Sequence, residues 1–202
     1  MIEEYIPKFL QCLYSDSCKD ADIQAQELID MFHENQIVSK KQMIYALDHL
    51  DLSRELYING LYIGSWMGFM TRILSERYNF YMSELELDER CGPVSRKYNE
   101  KNERYREHII GDALYQNKSF YERYNLIVNT SCEHMESEWY YKLPNNSYVF
   151  LQCNDYDTIP DHINCVYSIE EMKGKYPMHV KYESETQCTI YKRYTLAGQI
   201  KF

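Results

Sequence analysis

The stretch YINGLYIGSWMGF (residues 57 to 69) places three glycines within nine positions, directly after an apolar and aromatic run. A glycine-rich turn after a strand lets the backbone approach a bound ligand closely. This turn lacks the Lys-Ser/Thr pair of a triphosphate-binding loop, and Trp66 stands between Gly64 and Gly68 where a GxGxxG loop carries glycine. Taken alone, the stretch fits a tight turn without a ligand better than it fits a cofactor site.

Two acidic residues downstream stand where an adenosine-containing ligand would need them. Glu86 follows Gly64 by 22 residues, close to the offset of about 20 at which a carboxylate accepts hydrogen bonds from both ribose hydroxyls. Asp88 fits the N-cap of the next helix, which leaves Glu86 free for that role. Asp112 follows the next predicted strand, where it could accept from an adenine amino group or simply close a turn.

The segment NTSCEHM (residues 129 to 135) follows a predicted buried strand, at the edge where a substrate would meet the ligand. Asn129, Glu133 and His134 are candidates for orienting that substrate, and His134 could act as a base because imidazole serves that purpose near neutral pH. Glu133 and His134 fit a cap of the short helix that follows even better. Cys132 is disfavoured as a nucleophile because no histidine stands at a suitable spacing.

The cysteines indicate free thiols and no metal centre. All seven are scattered along the chain, and none belongs to a CxxC pair. Cys132 with His134, and His162 with Cys165, could be drawn as metal ligands, but without paired thiolates we expect no metal. Reduced thiols are typical of a cytoplasmic protein.

The composition bounds the class of partner. The chain has 202 residues, with 22 basic against 31 acidic side chains and a formal charge of −9, so direct nucleic-acid binding is disfavoured. The first residues lack the pattern of a signal peptide, and no apolar run approaches the roughly 18 residues of a membrane span. A small molecule or a protein is the expected partner, and a homo-oligomer is an open alternative.

The hydrophobic periodicity predicts the elements that position these residues. Residues 1 to about 50 are predicted to be helical, with apolar positions at three- and four-residue steps and Ser39 as an N-cap. From residue 55, predicted strands alternate with helices. The strands are ELYINGLYIG, NFYMSELEL, EHIIGDAL, NLIVNT and SYVFLQCN, and the clearest helices are FMTRILSERY (69 to 78) and GPVSRKYNEKNERY.

This alternation predicts an α/β fold. The predicted architecture is a Rossmann-like, doubly wound and mostly parallel sheet with helices on both faces. The last two predicted strands, in HVKYESE and YKRYTLAGQIKF, have no helix between them, which indicates a reversed strand near one edge. We expect two parts: an N-terminal helical extension or lid (residues 1 to 50) and the α/β domain (residues 51 to 202).

In their order and spacing, these motifs resemble those of the class I S-adenosylmethionine-dependent methyltransferases over about residues 55 to 202. The resemblance rests on LYIGSWMG (61 to 68), ELDERCGPVSRKYN (86 to 99), HIIGDA (108 to 113), LIVNTSCEHM (126 to 135) and the terminal YTLAGQIKF. The segment NTSCEHM is also similar to small methyltransferase-like proteins of tailed phages. A phage-encoded protein would act in the host cytoplasm.

The resemblance implies S-adenosylmethionine as the cofactor. It implies cofactor contacts from Tyr62, Gly64, Ser65, Trp66, Gly68, Glu86 and Asp112, and acceptor contacts from Asn129, Glu133 and His134. Methyl transfer from a sulfonium needs donor and acceptor held in line, and a base only where the acceptor must lose a proton.

Two residues depart from the family pattern. Tyr62 stands where the family carries an acid that holds the cofactor's methionine end, and Trp66 stands where it usually carries glycine. A tyrosine cannot supply the missing charge, so either cofactor affinity is reduced or another acid compensates.

Three functions follow, in this order. The first is a methyltransferase with an unidentified small-molecule or protein acceptor. The second is a catalytically silent member that uses its tyrosine-rich surface for binding or assembly. The third is a nicotinamide-dependent oxidoreductase, in which Glu86 would also contact the ribose. The glycine spacing of this sequence does not match that class.

Overall fold

The computed structural model describes residues 2–16, 18, 21–50, 52 and 57–201. The helices are α1 (Ile6–Leu13), α2 (Ala25–Phe32), α3 (Glu34–Asp48), α4 (Phe69–Tyr78), α5 (Cys91–Asn99), α6 (Lys118–Tyr121) and α7 (Ile169–Lys175). The strands are β1 (Asn59–Ile63), β2 (Tyr81–Glu86), β3 (Tyr105–Ile110), β4 (Leu126–Asn129), β5 (Tyr148–Asn154), β6 (Met178–Gln187) and β7 (Lys192–Ile200). Residues 51, 55 and 56, at the proposed domain boundary and the predicted start of the first strand, lie outside the described residues.

The strands of the described chain form one sheet in the order β3-β2-β1-β4-β5-β7-β6. Strands β1 to β5 run parallel, whereas β7 is antiparallel to both β5 and β6. The predicted mostly parallel sheet with a reversed strand near one edge is therefore confirmed. The chain order changes direction between β1 and β4, and ligands of open α/β sheets bind at such a switch point.

Helices cover both faces of this sheet, as predicted. Alternate residues of β4 show the division: Leu126 and Val128 belong to a core cluster with α4, α5 and the N-terminal helices, whereas Ile127 faces α7 and the 3₁₀ turn Ser137–Lys142. All three β4 side chains are buried. Strands buried on both faces carry continuous apolar runs, which explains LIV in this strand.

The N-terminal helices share a core with the α/β part of the chain. The ring centroid of Phe9 in α1 lies 5.4 Å from that of Phe69 in α4 and 5.0 Å from that of Tyr98 in α5. Phe32 of α2 contacts Phe69 at 5.2 Å. These edge-to-face contacts fix α1 and α2 against α4 and α5. The packing places α2 and α3 beside the carboxyl end of the sheet.

The prediction that Ser39 caps a helix is wrong. The helix α3 begins at Glu34, and its N-cap is His33, whose Nδ1 accepts from the Asn35 amide at 3.3 Å. Ser39 lies buried within the helix and donates to Gln152 Oε1 on β5 at 2.7 Å. The buried Gln152 side chain needs a hydrogen-bond partner, and Ser39 provides one.

Asp88 is not an N-cap either. The N-cap of α5 is Arg90, and the Asp88 carboxylate accepts from the Arg90 amide at 3.0 Å and pairs with its guanidinium at 2.5 Å. The strand predicted over residues 107 to 114 ends at Ile110. Asp88 instead lies in the turn that follows β2, and residues 111 to 114 lie after the end of β3.

Candidate functional site

The turn after β1 has an unusual backbone. Gly64, Trp66 and Gly68 all have positive φ angles, of 64°, 54° and 72°. A side chain on Gly68 would lie 2.5 Å from Glu84 Oε1, and one on Gly64 would lie 3.2 Å from Ser131 Oγ. Both glycines are therefore needed for the shape of the turn and for its close approach to neighbouring elements. Trp66 is a non-glycine residue in the same region, which is uncommon for a bulky side chain and occurs in tight turns and at functional sites.

Glu86 connects this turn to the end of β2. Its Oε2 accepts from the Trp66 amide at 2.7 Å, and its Oε1 accepts from the amides of Leu87 and Asp88 at 2.8 and 3.1 Å. Two carboxylate oxygens offer about four lone-pair positions, of which these three amides use three, so Glu86 can hold the turn and accept one further hydrogen bond from a ligand. Glu86 thus joins the end of β2 to the backbone of the glycine turn.

A pocket of about 690 Å³ opens at the carboxyl ends of β1, β2 and β4. This volume lies within the range of small-molecule sites. Eight of the ten predicted site residues line it, namely Tyr62, Gly64, Ser65, Trp66, Glu86, Asp112, Glu133 and His134. The pocket therefore gathers residues from four separate segments of the sequence.

Gly68 and Asn129 are the two predicted site residues outside the pocket lining. Gly68 is the N-cap residue of α4. Asn129 is fully buried, and its side chain accepts from the Ser131 amide at 2.8 Å and lies 3.2 Å from Met135 Sδ. Both residues shape the turns that carry the pocket residues.

Tyr62 forms part of the pocket wall as a neutral group. Its hydroxyl lies 3.0 Å from Thr130 Oγ1, and burial raises its pKa well above the ordinary range. It supplies no negative charge, but the lining does. The pocket carries six acidic side chains, Asp30, Glu86, Asp88, Asp112, Glu133 and Asp161, against the basic Lys40 and Arg193.

Other predicted residues show mixed roles. The Ser65 hydroxyl is buried and has no hydrogen-bond partner among the residues that the structure describes. A buried hydroxyl at a pocket wall without a partner fits contact with a polar ligand. Asp112 Oδ1 accepts from the Leu114 amide at 2.7 Å and starts the 3₁₀ turn Ala113–Tyr115, so it caps a turn while also lining the pocket.

Glu133 and His134 lie in the 3₁₀ turn Cys132–His134 that follows β4. Glu133 is buried and lies 3.8 Å from the Arg193 guanidinium, whereas His134 is partly exposed and lies 3.4 Å from Asp161 Oδ2. Cys132 is fully buried, and burial raises its thiol pKa strongly, which is unfavourable for a nucleophile.

The sequence did not indicate several pocket residues. Asp30 and Lys40 come from α2 and α3, Arg193 comes from β7, and Asp161 comes from the loop after β5. No local motif marks them, because they reach the pocket only through the packing of elements far apart in sequence.

Lys40 lines the pocket and has a strongly lowered pKa. Its ammonium donates to the Met31 carbonyl at 3.0 Å, and burial together with the charge of Arg193 lowers its pKa to about 7. A charged lysine is costly in such surroundings, because desolvation and a like charge both favour the neutral amine.

We expect Lys40→Met to remove a pH-dependent part of the folding stability. Lys40 titrates near 7 in the folded chain but near 10.5 when unfolded, so the unfolded chain binds more protons between these values and wild type gains stability as pH rises. The variant should lack about 1–3 kcal/mol of that gain. Urea unfolding from about pH 6.5 to 9.5 measures it, with the exposed Lys41→Met as control. Parallel pH profiles for wild type and Lys40→Met would contradict it.

Comparison with solved structures relates this architecture to known proteins. Phosphoethanolamine N-methyltransferase 2 of Haemonchus contortus, in complex with phosphomonomethylethanolamine and S-adenosylhomocysteine, superposes with a TM-score of 0.61 at 10% identity. The alignment covers 88% of this chain and 60% of that enzyme, so this chain spans less than two thirds of its length. The chain has the fold of the class I S-adenosylmethionine-dependent methyltransferases.

Two further solved structures superpose on this chain. Geranyl diphosphate C-methyltransferase from Streptomyces coelicolor A3(2), in complex with Mg²⁺, geranyl-S-thiolodiphosphate and S-adenosylhomocysteine, matches with a TM-score of 0.61 and 8% identity over 93% of this chain and 84% of that one. A mutant of MtNAS in complex with S-adenosylmethionine matches with a TM-score of 0.58 and 11% identity over 99% and 73% of the two chains. The predicted fold class is thereby confirmed.

Other comparisons add no family. No protein-family model matches the sequence, and a search of the curated proteins found no match. Within the described residues, no helix has the length and apolar character to cross a membrane. The phage-type similarity, the cytoplasmic location and the homo-oligomer stay predictions.

Proposed function

We propose that this protein is an S-adenosylmethionine-dependent methyltransferase with a small molecule as its acceptor, a protein acceptor being the alternative. The observation that carries the proposal is Glu86, which ends β2, holds the glycine turn and lines the pocket at the switch point of a methyltransferase fold. Similar structures of this fold were crystallised with S-adenosylmethionine or S-adenosylhomocysteine. Two of those enzymes were solved with small acceptor-like molecules.

The charge of the pocket favours this cofactor over a dinucleotide. Six acidic side chains against two basic ones attract a sulfonium cation and repel a pyrophosphate. The acids of the lining also compensate for Tyr62, which carries no charge. Together with a formal charge of −9 for the chain, the same lining disfavours nucleic acid as the acceptor.

The residues present fit the cofactor's polar groups. Glu86 would accept from one ribose hydroxyl, Asp112 from the adenine amino group, and the Ser65 hydroxyl, which has no partner among the described residues, would meet a polar group beside the turn. When bound, S-adenosylmethionine supplies an electrophilic methyl group on its sulfur. Glu133 and His134 stand at the opposite wall, where they would orient the acceptor.

The N-terminal helices complete the proposed site. Asp30, Met31, Gln36 and Lys40 of α2 and α3 line the pocket on the side away from the sheet. We propose that residues 1 to 50 form a lid that excludes water and helps to hold donor and acceptor in line.

One observation favours a second function. The position that carries an acid in this family is Tyr62, and its hydroxyl contacts Thr130. Tyr14, Tyr57 and Tyr115 are 91%, 60% and 82% exposed, which would suit a protein-binding surface. A silent member of the fold, used for assembly, is the alternative.

Calorimetric titration with S-adenosylmethionine and S-adenosylhomocysteine tests the proposal. We expect saturable binding of both at one molecule per chain, with Kd values on the order of micromolar. Fluorescence of reduced nicotinamide cofactor on mixing serves as the control and should not change. Absence of binding to both sulfur compounds would overturn the proposal and favour the assembly role.

A further inference from the structure

Three potential metal ligands converge at one wall of the pocket. Glu133, His134 and His162 each offer one ligand atom, and these atoms all lie within 4.8 Å of one another. Glu133 and His134 come from the turn after β4, and His162 comes from the loop after β5. Two histidines and one glutamate are a ligand set that Zn²⁺ uses at sites with one open position, and related sets hold other first-row ions.

Each imidazole is held through one nitrogen, which leaves the other for an ion. His162 Nδ1 contacts the Tyr156 carbonyl, and His134 Nδ1 lies 3.4 Å from Asp161 Oδ2. Metal-binding histidines characteristically donate their second N–H to a carbonyl or a carboxylate, which orients the ring. In this arrangement the Nε2 atoms carry the lone pairs, and the two rings meet edge to face at 4.4 Å.

Glu133 provides the second, independent observation. Its side chain is 3% exposed, and Oε1 accepts from Asn154 Nδ2 at 2.5 Å and lies 3.8 Å from Arg193 Nη2. Its Oε2 is buried and has no hydrogen-bond partner in the part of the chain that the structure describes. A buried carboxylate oxygen without a partner is costly, and a bound cation would satisfy it.

The charges around the cluster permit a cation. Arg193 opposes one, but its Nη1 donates to the Thr130 carbonyl at 3.2 Å, and its Nη2 lies 3.8 Å from Glu133 Oε1. Asp161 adds a second negative charge beside His134. Glu133 and Asp161 thus bring two negative charges to the cluster against the one positive charge of Arg193, and Glu133 Oε2 is the oxygen without a hydrogen-bond partner among the described residues.

We propose that Glu133, His134 and His162 bind a divalent first-row transition ion of the Zn²⁺ type at the pocket wall. This departs from the expectation, drawn from cysteine spacing, that the protein has no metal. Three protein ligands leave a tetrahedral ion one position for water or for an oxygen or nitrogen atom of a substrate. The site does not depend on the proposed cofactor, because none of its three ligands is a predicted cofactor contact.

Titration of the chelator-stripped full chain with Zn²⁺ tests the proposal, with Co²⁺ absorption as a second readout. We expect one ion per chain with a Kd of micromolar or tighter. His162→Gln and His134→Gln should each weaken binding by at least about 10-fold. The exposed His49, whose Nδ1 bonds the Tyr45 carbonyl outside the pocket, provides the matched control, and His49→Gln should bind as wild type does.

The thiols require their own control, because Cys165 lies three residues from His162. Cys165→Ser should keep wild-type Zn²⁺ affinity. Absence of Zn²⁺ and Co²⁺ binding to the wild type would overturn the proposal. So would wild-type Zn²⁺ affinity in both histidine variants, or loss of Zn²⁺ binding in Cys165→Ser. Both histidines are partly exposed, so their variants should fold, which thermal melting in chelator checks.

This test is separate from that of the proposed function. S-adenosylhomocysteine titration of the chelator-stripped chain reports on the cofactor site alone. Zn²⁺ binding without cofactor binding would support the metal site and overturn the methyltransferase proposal, and the reverse result would do the opposite.

Discussion

Glu86→Ala is expected to abolish measurable binding of S-adenosylhomocysteine, with a loss of at least about 100-fold. Glu86 would accept a hydrogen bond from a ribose hydroxyl at its remaining lone-pair position, and a charge-assisted bond of this kind contributes about 1.5–3 kcal/mol. The same carboxylate accepts from the amides of Trp66, Leu87 and Asp88, so its removal also releases the glycine turn. Calorimetric titration of the variant measures both losses together.

Two variants separate charge from shape. Glu86→Gln keeps the size of the side chain but loses the charge, and should bind more weakly than wild type and more tightly than Glu86→Ala. Glu89→Ala removes a neighbouring exposed acid outside the pocket and should bind as wild type does. Wild-type affinity in Glu86→Ala would remove Glu86 from the cofactor site and with it the main support for the proposed function.

His108→Leu is expected to destabilise the protein by about 3–5 kcal/mol. His108 Nδ1 lies 2.8 Å from Glu84 Oε2, and both side chains are completely buried between β2 and β3. Ser95 also donates to this carboxylate, and the Tyr105 hydroxyl lies 3.4 Å from it. Removal of the imidazole leaves a buried carboxylate without its main partner, which costs far more than the pair contributes. Urea denaturation measures the change in unfolding free energy.

A double variant identifies the cause. Glu84→Met combined with His108→Leu removes both partners, so its loss should fall short of the sum of the two single losses by at least about 1 kcal/mol. The exposed His179 on the edge strand β6 provides the control, and His179→Leu should change stability by no more than about 0.5 kcal/mol. Additive losses would show that the two groups do not depend on each other.

The buried pair also bears on the pocket. Glu84 Oε1 and the Ser95 side chain pack so closely against Gly68 that a Cβ there has no room. The stability of the interior between β2 and α5 therefore supports the turn whose backbone shapes the pocket. We expect substitutions that shift this pair to disturb the glycine turn as well.

The sequence by itself predicted most of the helices and strands and the glycine-turn side of the pocket. Helix α4 has the predicted bounds of residues 69 and 78, and the glycine turn and Glu86, 22 residues apart in sequence, line the same pocket. Periodicity, glycine conformation and strand-to-helix spacing are local properties, and they are encoded within a few dozen consecutive residues.

Only the tertiary structure decided the opposite wall of the pocket and the roles of several polar residues. Ser39 has the residue type of an N-cap, but it lies inside α3, where its hydroxyl donates to the distant Gln152. The pocket wall that faces the glycine turn exists only because α3, β7 and the loop after β5 pack against the carboxyl end of the sheet. This packing brings in Lys40, Arg193 and His162. Such convergence depends on crossovers and packing between remote segments, for which a single sequence carries no local pattern.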